Sequence, residues 1–371
     1  MNPNLVSALD PIGLPGPAWL FHVLLVFTFV LHVLFLNLAV GGGLLAAVAH
    51  ALAGGRSDDP RGVLAARLTR VNGYAVSLAI TAGIAPLLFV QVLYQRFFYS
   101  ATILIGWAWF GFLLLLLAGY YALYLYKFRG LPAGRRGGGL WIWLSAAAFV
   151  GIAMVQVAVQ LLHAQPERWA ATEAGRWSVL ADPTYVPRLL HFVLAAVAFS
   201  ALVVAWWAVR EGRAGRDLET NRSIARFAWR WALIATGLQL VDGVLLLVSL
   251  PRHVLLGLMR SGATTLLPLT VAIVLAVGVL MMLARVRDPL DSAGLVSGTL
   301  AAATLTVAVM SVTRHQIRVL YLEPSTASAA AVNSQWGNFV LFAVLLVAGL
   351  ATVAIMVRRV LTSAASGSEA A

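Results

Sequence analysis

The sequence predicts an all-α, polytopic membrane protein with nine transmembrane helices, its N-terminus outside and its C-terminus cytoplasmic. Three observations carry that expectation. First, 61% of the 371 residues are hydrophobic and only 11% are charged, with a mean hydropathy of +0.88; soluble domains average about 25% charged residues. Second, apolar runs recur along the whole chain, each at or above the roughly 18 residues that suffice for a membrane-spanning helix. Third, the basic residues are divided unevenly between alternate connections.

The nine runs fall at about 17–48, 74–95, 101–126, 141–163, 187–209, 227–250, 264–284, 293–313 and 336–357. Backbone groups in lipid must pair internally, so each run is expected to be a helix. The breaks carry turn-forming punctuation: "AGGRSDDPRG", "RGLPAGRRGGG", "REGRAGRD", "RVRDPLD" and "YLEPSTASAA". Pro187 suits the first turn of the fifth run, where its missing N–H costs nothing. Tryptophans such as Trp107, Trp141, Trp143, Trp207 and Trp336 lie near run ends, as interfacial anchors do. No soluble domain fits between the runs, so residues 1–371 are expected to form a single transmembrane domain. Residues 1–16 contain no Lys or Arg, so the first run is expected to be retained rather than cleaved.

Direction follows from charge. With the N-terminus outside, 18 of the 26 basic residues face the cytoplasm, among them Arg67, Arg70, Arg135, Arg136, Arg222 and Arg226. The positive-inside rule favours that orientation. It also accounts for the net charge of +12 without nucleic acid as a partner. There is no cysteine, which excludes disulfides, iron–sulfur clusters and covalent c-type haem in this chain. No Walker motif, dinucleotide fingerprint, HExxH or nucleophile–base arrangement is present. No inverted repeat is evident, which weighs against many transporter architectures.

On this topology five of the seven histidines share the outer face: His22, His163, His191, His253 and His315. His32 lies deeper in the first helix and His50 near its inner end. An imidazole in a membrane helix can ligate haem iron, relay protons or bond a neighbouring helix. In "DPTYVPRLLHFVL" Arg188 stands three residues before His191, where it can pair a haem propionate or snorkel to headgroups. Gln156, Gln160 and His163 are spaced for one helix face, expected to point into the bundle. Asp242 is a carboxylate inside the sixth run, open to proton relay or to a salt bridge with an arginine near a span end. Gly41, Gly42 and Gly43 are expected to let helices pack closely.

These residues resemble subunit I of the cytochrome bd quinol oxidases. His22 in "WLFHVLLVF" matches that family's early haem-ligating histidine. Pro183, Arg188 and His191 match the spacing of its proline, basic residue and low-spin haem b histidine. "LHAQP" at 162–166 and "TRHQIR", with Arg314 and His315, are looser counterparts of two further family stretches. The sequence departs from the family in three places. The sixth and seventh runs are joined by "PRHVLLGLMRSGA" instead of a long quinol-binding loop; the third run has no carboxylate; the seventh starts without a methionine.

The resemblance implies a b-type cytochrome of the inner (cytoplasmic) membrane, an electron-transfer subunit of a respiratory or related redox complex. Haem b, in one or more copies, would be ligated by His22 and His191, with His163 and His315 next in line and Met310 after them. Arg188 and Arg314 would face the propionates. Expected partners are membrane lipid, a second membrane subunit and a periplasmic c-type cytochrome or other redox partner. Two other readings stand beside this one. One is a divergent terminal oxidase with an open haem position. The other is a haem-free transporter or assembly subunit.

Overall fold

The structure is a computed structural model and describes residues 13–130, 138–173, 177–260, 263–322 and 332–366. Arg135 and Arg136 lie outside the described residues. The chain is built of helices in the order α1 (Ala18–Leu52), α2 (Pro60–Leu93), α3 (Gln95–Leu104), α4 (Gly106–Leu125), α5 (Gly139–Ala164), α6 (Trp169–Glu173), α7 (Tyr185–Arg213), α8 (Leu218–Val248), α9 (Arg252–Arg260), α10 (Ala263–Arg285), α11 (Ala293–Leu322) and α12 (Trp336–Ser366). Among the described residues nine helices are long and apolar enough to cross a membrane: α1, α2, α4, α5, α7, α8, α10, α11 and α12. The protein is an integral, multi-pass membrane protein.

Three helices outrun their apolar cores. α2 starts at Pro60 and α8 at Leu218, well before the hydropathy rises. Side-chain caps explain both starts. Asp59 accepts from the Arg61 N–H at 2.8 Å, and Asp217 accepts from the Thr220 N–H at 3.3 Å. α11 continues to Leu322 through Arg314, His315 and Arg318, because that polar turn faces protein rather than water. The third apolar run divides at Ile105, whose backbone leaves the helical region (φ −115°, ψ 35°). The short α3 then packs Phe98 and Ala101 inward, with Ala101 in a core formed with α5 and Trp169.

α1 is the central post. Small residues let its neighbours approach. Asn72 of α2 donates to the Ala39 carbonyl at 3.1 Å, and Ser200 of α7 donates to the Asn37 carbonyl at 2.8 Å. Both contacts fall where the glycine triplet removes side chains, so the expected close packing holds. The largest core joins α1, α2, α7, α8, α10 and α11 through Ala, Leu and Val, with Trp229 bonded to the Leu283 carbonyl. α12 lies at the periphery, its Phe339 and Phe342 against Phe21 and Phe89.

Ion pairs tie the connections together at both ends. At one end Arg222 and Arg226 hold Asp288 at 3.2 and 2.5 Å. At the other, the link between α5 and α7 is locked by Asp182. Its carboxylate accepts from the Thr184 N–H and hydroxyl at 2.8 and 2.6 Å, from Gln165 at 3.0 Å, and pairs with Arg168 at 2.8 Å. Burial pushes the Asp182 carboxyl up, but the Thr184 and Gln165 bonds and the Arg168 charge outweigh it and hold it below the usual carboxylate value.

A group depressed in this way stabilises the fold fully above its unfolded pKa, about 4. The contribution is lost as pH falls through the lower folded value. Asp182→Asn is therefore expected to cost about 2 kcal/mol at neutral pH. Its deficit in melting temperature should narrow when both proteins are compared below about pH 4. A constant gap across that range would show that the carboxylate charge is not what locks the connection.

Candidate functional site

α1 begins, α5 ends, α7 begins and α11 ends at the same end of the bundle, so His22, His163 and His315 meet there. The His22 and His315 rings lie 4.9 Å apart between centroids. Tyr94 stands at the backbone break between α2 and α3 (φ −130°, ψ 33°), which turns its ring inward. That ring lies 5.4 Å from His163 and 6.2 Å from His22. The four side chains form one aromatic cluster. His163, on the last turn of α5, is only 3% exposed.

Three guanidinium groups surround this cluster. Arg318 sits over Tyr94 at 5.7 Å and is 7% exposed. Arg314, one turn earlier on α11, lies over Phe29 at 4.2 Å. Arg188 reaches from α7 into a small cleft lined by Gln160, Leu161, Arg318 and Tyr321. The three charges are close enough to repel one another. Yet none makes an ion pair with a carboxylate among the described residues; Asp182 nearby is committed to Arg168. α9 closes this end, burying Val254 and Leu258 against Leu320 and Tyr321.

The cluster is full of polar atoms without partners. His22 Nδ1, His163 Nε2, His315 Nδ1, Tyr94 Oη and Arg318 Nε are buried and unbonded among the described residues. Buried polar groups are otherwise almost always paired. These unpaired atoms are concentrated at this one end of the bundle.

His191 is not in this cluster. It turns toward α8, where its Nδ1 lies 3.2 Å from Asp242 Oδ2. Asp242 thus pairs with a histidine rather than an arginine. The remaining histidines are separate: His32 Nδ1 is 2.8 Å from the Ala79 carbonyl, His50 Nδ1 is 2.8 Å from the Tyr126 hydroxyl, and His253 faces the Tyr321 ring at 6.2 Å. The polar stripe on α5 is only partly internal. Gln160 lines the arginine cleft, but Gln156 is exposed on the bundle surface. Sequence reasoning missed Tyr94, Tyr321 and Arg318. The signal available for Arg318 was its i, i+4 spacing from Arg314 in "TRHQIR".

No protein-family model matches the sequence, and no curated protein matches it. A polytopic helical membrane protein with a polar site buried at one end is the class the fold defines. More particularly, the chain is similar to one from the bd oxidase of Geobacillus thermodenitrificans. The TM-score is 0.76 over 93% of this chain and 98% of that one, at 16% sequence identity. The fold is a bd oxidase fold.

Proposed function

We propose that this chain is a b-type membrane cytochrome, the electron-transfer subunit of a respiratory or related redox complex. One observation carries the reading: three buried guanidiniums without carboxylates stand beside three imidazoles whose ring nitrogens lack partners. Each arginine costs about 2.5–3.5 kcal/mol at the centre of a spanning helix, less toward its ends. A cluster of them calls for an anionic partner. Among the described residues no three metal-ligating side chains converge as a bare ion would need. A flat macrocycle with two carboxylates and a central metal suits the donor set better. The bd oxidase likeness agrees with it.

In this reading His22, His163 and His315 supply neutral nitrogen donors and Arg188, Arg314 and Arg318 bind propionates. His191 serves a second position beside α8. Haem supplies the one-electron chemistry when bound. The chain's residues hold it, exclude water through α9 and set its potential by charge. The 18-to-8 division of basic residues supports an outward-facing histidine end. Electrons then enter from a periplasmic c-type cytochrome or similar partner, and a second membrane subunit completes the complex in the inner membrane. The unpartnered Tyr94 hydroxyl beside His163 and His22 favours one further reading, a divergent oxidase in which Tyr94 donates a proton to a bound small molecule.

Protein purified from haem-replete cells is expected to show a Soret band, a reduced α-band and a pyridine haemochrome of b type. Absence of Soret absorbance would sink the cytochrome reading. Oxygen uptake by the isolated complex separates the oxidase from the electron carrier. Labelling of a single cysteine at position 253 from the outside tests the orientation.

A further inference from the structure

The pair on α7 and α8 has a chemistry of its own. His191 Nδ1 lies 3.2 Å from Asp242 Oδ2, and Asp242 is 5% exposed, inside a spanning helix. Among the described residues no arginine or lysine shares that carboxylate, and its Oδ1 is buried without a partner. Beside it Gly243 lies against the ring: a methyl group there would touch His191 Cε1 at 3.4 Å and Nδ1 at 3.8 Å, in ordinary contact. The imidazole therefore presents its Nδ1–Cε1 side to α8. With Nδ1–H donating to the carboxylate, Nε2 carries the lone pair.

We propose that Asp242 is a positioning residue that fixes the tautomer and orientation of His191, so that Nε2 would be presented to a haem iron with the carboxylate held behind the ring. The proposal rests on the haem reading above and deepens it. An imidazole that donates its other ring N–H to an anion is a stronger donor and favours the oxidised metal. The arrangement also answers the question the acid poses. A carboxylate buried in a membrane helix with one unbonded oxygen is costly, and a cationic metal on the far side of the imidazole would offset its charge.

The experiment compares wild type with His191→Ala, Asp242→Asn, Asp242→Ala and Asp242→Glu, reading haem content, spin state by electron paramagnetic resonance, and midpoint potential. The signal lost in His191→Ala defines the His191 haem. Asp242→Asn should keep that haem at full content but shift its potential upward, because the bond persists without the charge. Asp242→Ala should bind it about 10–100-fold more weakly. Asp242→Glu should restore the potential toward wild type. An unchanged potential in Asp242→Asn would overturn the role of Asp242 and leave an interhelical pair, while the ligand reading survives. Unchanged haem content and spectrum in His191→Ala would overturn the ligand reading itself and the proposal with it.

Discussion

Gly41→Leu is expected to leave almost no folded protein. A side chain at Gly41 would occupy the space of the Ala196 carbonyl and the Ser200 hydroxyl. The obstacle is α7 backbone, which cannot rotate away as a side chain can. α1 and α7 would have to separate, breaking the Ser200 bond to the Asn37 carbonyl and opening the core around Ala196. Overpacking a well-filled core costs about 1–3 kcal/mol when neighbours can shift, and more where only backbone yields. Association within the bilayer depends on such close approach of small residues. Gly42→Ala is the control: a methyl there meets the Asn72 amide and the Leu68 side chain in ordinary contact. Fluorescence-detected size exclusion after heating reads both. A Gly41→Leu profile like that of wild type would mean α1 and α7 are not packed as described.

The spans were legible because a bilayer imposes one length and one polarity on every crossing helix. Their ends were not, because hydropathy marks the apolar part and caps such as Asp59 carry the helix beyond it. The glycine triplet was legible as packing, though only the structure separates Gly41, which touches backbone, from Gly42, which touches a flexible amide. That His22, His163 and His315 share one end follows from counting crossings. That they share one cluster depends on which helices are neighbours, and no local pattern records it. The same holds for the pairing of His191 with Asp242, whose partners lie 51 residues apart. Tyr94 was invisible because its role comes from a backbone break between α2 and α3. The connection between the sixth and seventh runs was expected as a short loop; it forms α9, whose Val254 and Leu258 pack against Leu320 and Tyr321.

The sharpest test of the cluster is a change of sign. Arg314→Met with Arg318→Met should stabilise the protein made without haem and destabilise the protein made with it. Without an anionic partner the two guanidiniums are charges buried in a membrane bundle, faced among the described residues by the rings of Phe29 and Tyr94. A cation over a ring returns about 0.5–2 kcal/mol. The effective penalty for burying an ion is several kcal/mol even after relaxation. Methionine fills similar space at no such cost, so the doubly substituted apoprotein is expected to melt higher than wild type. Haem bound at 100 times its Kd adds about 2.7 kcal/mol to wild type. The variant, lacking two propionate partners, should retain little haem and gain little. The order of melting temperatures would then reverse between haem-starved and haem-replete cells, with haem content falling in the variant alone. If the variant melted higher in both and kept its full haem, the arginines would not be holding propionates, and the unpaired charges at this end of the bundle would require another anion.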